Sequence, residues 1–126
     1  MLDRPKLGII LNPIAGRGRA LNLQIPLVNY LRRRNILFQL ERSNRPGHAT
    51  ELSSQMSKEF DIIVAMGGDG TLNEVAAGVY GSMASLAILP IGSGNDFNRI
   101  KVRQKRECPD QEPWHGQERP ASAYLH

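Results

Sequence analysis

A parallel-sheet α/β lobe is the architecture this sequence predicts, on three observations. Short apolar runs alternate with stretches of helical spacing, glycine-bearing loops follow the runs, and the clearest run lacks the polar alternation of a half-exposed strand. Strands that are covered by helices on both faces have to be apolar throughout, which is how these runs read.

Residues 7–11, LGIIL, form a first buried strand, closed by Asn12-Pro13 and the glycine-rich Ala15-Gly16-Arg17-Gly18. Leu23, Leu27, Tyr30 and Leu31 then share one helical face. Pro26 marks a restart at a first helical turn, where its missing N–H costs little, and Arg32-Arg33-Arg34-Asn35 ends the helix. Residues 36–42, ILFQLER, read as a second strand, after which Pro46-Gly47 turns the chain into a helix with Ala49, Leu52 and Met56 on its inner side. Phe60–Met66 is the third strand, β-branched at its centre and covered on both faces. After the turn at Gly67–Gly70, Leu72, Val75, Ala76 and Val79 repeat at helical spacing until Gly78 and Gly81 loosen the helix. A last short strand, Leu86–Pro90, leads into Gly92-Ser93-Gly94-Asn95-Asp96.

Past Arg99 the pattern stops. Residues 101–126 are polar and proline-interrupted, with Trp114, Tyr124 and Leu125 at neither helix nor strand spacing. Such a segment buries too little surface to offset its ordering entropy. The expected organisation is one folded domain over residues 1–100 and a disordered tail over 101–126. A chain of 126 residues has room for one modest core.

Through residue 100, eleven Lys/Arg stand against eight Asp/Glu without the clustering of a nucleic-acid stripe, so nucleic acid is disfavoured as a partner. A single cysteine, Cys108, excludes an internal disulfide framework, offers no metal-site spacing and suits a reducing compartment. The first apolar run is too short for a signal peptide or a bilayer span, and the expected location is cytoplasmic.

Three glycine-bearing loops leave carboxyl ends of strands: Asn12–Gly18, Gly67–Gly70 and Gly92–Asn95. In an open parallel sheet such loops can share one ligand crevice. Glycines let main chain approach an anion, and the helix beginning near Thr71 offers free N–H groups and a partial positive charge. Asp69, inside that turn, would repel a phosphate unless a cation sits between them. Magnesium takes carboxylate and phosphate oxygens together, so the aspartate points to a metal-bound nucleotide. Capping of the helix by Asp69 is the competing role, and local chemistry leaves both open. The Walker A pattern fails, because no Lys-Ser/Thr follows Gly16-Arg17-Gly18, and the dinucleotide fingerprint fails at Leu21, where it needs a third glycine.

His48, at a helix start, reads as a first-turn surface residue. Asp96 has the chemistry to polarise an acceptor hydroxyl, or it ties loop to loop. Arg32-Arg33-Arg34 reads as a solvated helix end favoured by the dipole, with peripheral contact to an anionic membrane as the alternative.

The segments NPIAGRGR (12–19), GHATEL (47–52), VAMGGDGTLNEVAAGV (64–79) and LAILPIGSGNDFNR (86–99), in that order, resemble the catalytic domain of the diacylglycerol kinase family, its bacterial lipid kinases in particular. GGDGT alone is shared with NAD kinases and phosphofructokinases. G-S-G-N-D-F after L-P-I is specific to the lipid-kinase branch, which includes sphingosine and ceramide kinases, and disfavours an NAD kinase relative.

The resemblance implies a Rossmann-like N-terminal lobe of the phosphofructokinase/NAD kinase type, with ATP and Mg2+ as cofactors and a hydroxyl-bearing, diacylglycerol-like lipid as the second partner. On matching positions, Gly67, Gly68, Asp69, Gly70, Thr71, Leu72 and Asn73 would hold the ATP phosphates, with Asp69 near the metal. Asn12 and Gly16 match the first loop, and Gly92, Ser93, Gly94 and Asn95 the last. Ser43 stands where the family usually has a nucleotide-contacting threonine, and Ala15 where it often has serine. Glu74 matches an acidic residue after the turn, with a helix-surface salt bridge as its alternative.

Family members continue into a β-rich second lobe that carries the glutamate proposed as base and further magnesium ligands. The likeness stops near Arg99, as at a frameshifted end, and no catalytic base is assigned here. The expectation is the ATP-binding lobe of a lipid kinase, with little or no kinase activity by itself. The alternative is a non-catalytic nucleotide-binding fragment or regulatory module.

Overall fold

The computed structural model describes residues 5–91, Phe97, and residues 100–103 and 118–120. Four parallel strands, β1 (Leu7–Leu11), β2 (Phe38–Arg42), β3 (Ile62–Met66) and β4 (Ser85–Leu89), alternate with helices α1 (Arg19–Asn22), α2 (Gln24–Arg33), α3 (His48–Met56) and α4 (Asp69–Val79). Two short strands, β5 (Lys101–Arg103) and β6 (Glu118–Pro120), extend the sheet antiparallel, giving the order β2-β1-β3-β4-β5-β6.

Period-two alternation sends the strand side chains into two cores. Leu7, Ile9 and Leu11 of β1, with Ile62, Val64 and Met66 of β3, pack against Leu23, Leu27 and Leu31 beneath α1 and α2. Ile10, Ile63, Ala65 and Leu86 face the other way, onto Ala49 and Met56 of α3 and Val75 and Val79 of α4. This double covering explains why β1 and β3 are buried at every position. Each fully buried Leu or Ile contributes roughly 1.5–3 kcal/mol. The edge strand β2 is covered on one side only: Phe38 and Leu40 pack inward and Arg42, on the same face, bonds Gln24 of α2 at 2.9 Å, whereas Gln39 and Glu41 on the other face bond each other at 3.4 Å.

The helices follow the expected spacing with instructive differences. Leu23 interrupts α1 and α2, and Pro26 lies in the first turn of α2, where a proline removes no internal hydrogen bond. The second strand starts at Phe38, not Ile36. Asn35 takes a left-handed φ of 57°, and the Ile36 N–H closes α2 on the Leu31 carbonyl at 3.1 Å. The third strand starts at Ile62, because the Phe60 N–H still serves the Met56 carbonyl at 2.8 Å, and the Asp61 carboxylate accepts the Lys6 N–H at 2.8 Å.

Gly78 does not loosen its helix. It lies inside α4, where a Cβ would collide with Ser53 Oγ and fall 2.5 Å from the Thr50 carbonyl oxygen and 2.7 Å from the Ser54 nitrogen of α3. Glycine is required there because the two helices touch main chain to side.

The expectation of a structureless tail fails at two places. Lys101–Arg103 pairs with β4, Val102 opposite Ala87, and Glu118–Pro120 pairs with β5. Val102, Ile100 and Phe97 are buried in the first core. Pairing with the open edge of β4 supplies main-chain partners that no side-chain periodicity announces. The remainder of the predicted tail lies outside the described residues.

Replacing Gly78 with alanine is expected to destabilise the fold. Forcing α3 from α4 costs about 1–3 kcal/mol, toward the upper end where backbone is struck. That exceeds the ~1 kcal/mol alanine gains over glycine in a helix interior. Urea denaturation should show a lower midpoint for the variant.

Candidate functional site

The chain runs outward from β1 to β2 in one direction and from β3 to β4 in the other, so the strand order reverses between β1 and β3. In open α/β sheets the ligand crevice lies beyond the carboxyl ends of the strands at such a reversal. The register places Leu11, Met66 and Leu89 side by side, so Asn12 and Gly67 leave the sheet as neighbours at that point.

A main-chain bond from the Asn12 N–H to the Met66 carbonyl, 3.0 Å, continues the β1–β3 pairing into the loops. The Asn12 side chain then spans the crevice floor: its amide donates to Thr71 Oγ1 at 3.3 Å, and its oxygen accepts the Ile14 N–H at 3.3 Å. Thr71 is buried. Its oxygen accepts from Asn12, which leaves its hydroxyl proton to be donated elsewhere. A Cβ on Gly67 would collide with Thr71 Oγ1 and stand 2.6 Å from Thr71 Cβ. The turn lies flat on Thr71 only because residue 67 has no side chain.

Gly68 is the N-cap of α4, extended at φ −91°, with no side-chain cap, and a Cβ on Gly68 or Gly70 would meet only open space. Asp69 is the first helical residue, exposed, and its carboxylate makes no hydrogen bond or ion pair among the described residues. The capping role for Asp69 is therefore excluded: it sits one position past the cap and bonds none of the free amides. What remains is a helix N-terminus with uncapped N–H groups, main chain open to a ligand, and one unpaired carboxylate at the rim.

The first loop rests on Ile91, just past β4. Gly16 takes a φ of +62°, and a Cβ there would lie 2.6 Å from Ile91 Cδ1, so Asn12–Gly18 rests on the chain leaving β4. Gly92, Ser93, Gly94 and Asn95, with Asp96, lie outside the described residues.

Other sequence-predicted residues fall into place differently. Ser43 follows β2 and is buried, with its N–H on the Leu11 carbonyl at 2.9 Å and its hydroxyl 3.5 Å from the same oxygen. Leu72 turns away from the crevice: its side chain packs on the second core and its N–H already serves the Gly68 carbonyl at 3.0 Å. It supports the turn from beneath. Asn73 is exposed on α4. His48 Nδ1 accepts the Asn44 N–H at 3.0 Å, tightening the turn into α3. Arg32, Arg33 and Arg34 are exposed at the end of α2, with Arg34 stacked over Tyr30 at 4.4 Å.

Glu74 forms no salt bridge among the described residues. Its carboxylate accepts the Gly47 N–H at 2.9 Å, and its carbonyl accepts the Thr50 hydroxyl at 2.8 Å. Sequence reasoning missed both contacts because nothing local marks a partner 27 residues away.

A doubly wound parallel sheet, with a glycine turn and an open helix N-terminus at the strand-order reversal, defines a Rossmann-like lobe. The chain belongs to the diacylglycerol kinase catalytic domain family, whose match runs over residues 6–113. That extent corrects the expectation that family likeness ends near Arg99, because it takes in β5.

A diacylglycerol kinase of Staphylococcus saprophyticus is 32% identical over 99 residues, covering 76% of this chain and 32% of that protein. The sphingoid long-chain bases kinase 1 of Arabidopsis thaliana is 33% identical over 103 residues, covering 74% of this chain and 14% of its own length. The crystal structure of a diacylglycerol kinase from Bacillus anthracis superposes with a TM-score of 0.62 at 29% identity, covering 79% of this chain and 38% of that one. The chain thus spans about a third of the bacterial relative's length. No helix among the described residues is long and apolar enough to cross a membrane.

Replacing Thr71 with valine keeps the shape under Gly67 and removes the acceptor for Asn12. The expected result is a loss of about 1–2 kcal/mol, with faster amide exchange at Ile14, read by hydrogen-exchange NMR.

Proposed function

We propose that this chain provides the ATP-holding lobe of a lipid kinase that transfers the terminal phosphoryl group to a hydroxyl of a diacylglycerol-like lipid. One observation carries the reading: an unpaired carboxylate, Asp69, stands beside an uncapped, sterically open helix N-terminus at the strand-order reversal. Membership of the diacylglycerol kinase family supports it.

The free amides and positive end of α4 favour phosphate oxygens, whereas Asp69 disfavours them. Both are satisfied when the nucleotide arrives with Mg2+, which binds through one or two carboxylates plus phosphates. The donor set fits that mode: no cluster of three or more His, Cys, Asp or Glu among the described residues forms a cage, so Asp69 would hold the ion together with the nucleotide. Bound there, the ion would neutralise charge on the phosphate oxygens. Thr71 keeps the turn flat and Asn12 ties it to the first loop, so the phosphates meet a pre-shaped surface. Gly16, Ser43, Asn73 and Gly92–Asn95 would complete the nucleotide cradle.

Because phosphoryl transfer depends on positioning both reactants, the acceptor side is assigned to the part of the family architecture that lies beyond the third spanned here. The reading places the protein in the cytoplasm, where ATP is available, in peripheral contact with the membrane that holds its lipid, and without a nucleic-acid partner. This 126-residue polypeptide should bind Mg·ATP yet phosphorylate diacylglycerol little or not at all. Robust phosphorylation would show that the acceptor half is present. A non-catalytic nucleotide-binding module is the second reading.

Calorimetry with and without chelator tests the site. The wild type should lose ATP affinity when magnesium is removed. Asp69→Asn should weaken Mg·ATP by roughly tenfold, about 1.4 kcal/mol, while binding metal-free ATP better than the wild type does, since the repulsion is gone. Affinity indifferent to both changes would refute the proposal.

A further inference from the structure

Glu74 is half-buried on α4, five positions after Asp69, and faces α3 together with Gly78 one turn later. Its carboxylate accepts the Gly47 N–H at 2.9 Å. Gly47 is the N-cap of α3, in a left-handed conformation at φ 84°, and no side chain of its own segment caps that helix. A helix on the far side of a crossover thus supplies the missing acceptor, and its negative charge suits the positive end of α3. The Thr50 hydroxyl on the Glu74 carbonyl, 2.8 Å, adds a second tie in the same turn.

These ties bear on the crevice because of what lies between β2 and α3. The loop holds Ser43, anchored on Leu11, and Asn44, whose N–H is taken by His48. Its β2 end is therefore fixed to β1, and its α3 end is fixed to α4 through Glu74. We propose that Glu74 is a positioning residue: by capping α3 through Gly47, its carboxylate holds the Ser43–Gly47 loop level with the phosphate turn that begins the same helix, α4. This rests on the nucleotide reading above and adds a residue to it. Glu74 touches no nucleotide; it acts through Gly47.

The test compares Glu74→Ala, Glu74→Asp and Glu74→Gln in the 126-residue chain, with Val79→Ala as a control. Val79 is buried on the same helix, away from the crevice, and its truncation reports simple destabilisation. Mg·ATP affinity and amide exchange at Gly47 are both measured. Alanine, and aspartate with its shorter reach, should weaken Mg·ATP about tenfold and speed Gly47 exchange by a similar factor, as expected for a lost charge-assisted hydrogen bond. Glutamine keeps the acceptor and should stay within about twofold of wild type on both. Val79→Ala should lower stability while leaving the affinity of the folded protein unchanged.

Wild-type affinity in Glu74→Ala or Glu74→Asp would overturn the proposal, as would unchanged Gly47 exchange. Glutamine that weakened Mg·ATP as much as alanine does while leaving Gly47 exchange at the wild-type rate would also overturn it, because the charge would then be acting on the ligand and not through Gly47. Absence of Mg·ATP binding by the wild type would sink the nucleotide reading itself, and is read from that arm alone.

Discussion

The in-register parallel pairing of β1 with β3 is the constraint on which the rest depends. Leu11 lies beside Met66, and the Asn12 N–H carries the ladder one bond further onto the Met66 carbonyl. A slip of one residue would exchange the two cores, since alternate side chains serve opposite faces. It would also separate Asn12 from Thr71 and pull the first loop off the glycine turn. Register, core and crevice floor are one arrangement.

Within that arrangement, the absence of side chains does as much as their presence. Residue 67 must lie against Thr71, residue 78 against α3, and residue 16 against Ile91. Two of these contacts seat the loops of the crevice, and the third brings α3 close enough for Glu74 to reach Gly47. Asp69 is exposed at the start of a helix whose first amides have no side-chain cap, and its carboxylate makes no hydrogen bond or ion pair among the described residues. Opposite partial charges side by side, neither satisfied by the protein, suit a ligand that brings both phosphate and cation. The chain belongs to the diacylglycerol kinase catalytic domain family and covers about a third of its Staphylococcus saprophyticus relative.

Much of the fold was legible. Strands β1, β3 and β4 announced themselves because burial on both faces demands unbroken apolar runs, and α2, α3 and α4 because their inner faces repeat at helical spacing. The boundaries of β2 and β3 were read too early, since Ile36 and Phe60 are apolar for core packing and helix closure rather than for pairing. The glycine turn and its place at the carboxyl end of β3 were legible from the run of glycines after an apolar strand. The choice between capping and ligand work was not, because it depends on where one carboxylate sits relative to four amides.

Composition and periodicity alone therefore determined a two-faced parallel α/β sheet with glycine loops at its carboxyl ends, because local covalent preference and hydrophobic period are written residue by residue. Tertiary structure alone decided that Gly78 is a helix contact, that Glu74 caps a distant helix, and that Val102 joins the core. Each of those depends on distances between segments tens of residues apart, which are set only when the strands pair and the helices dock across the sheet.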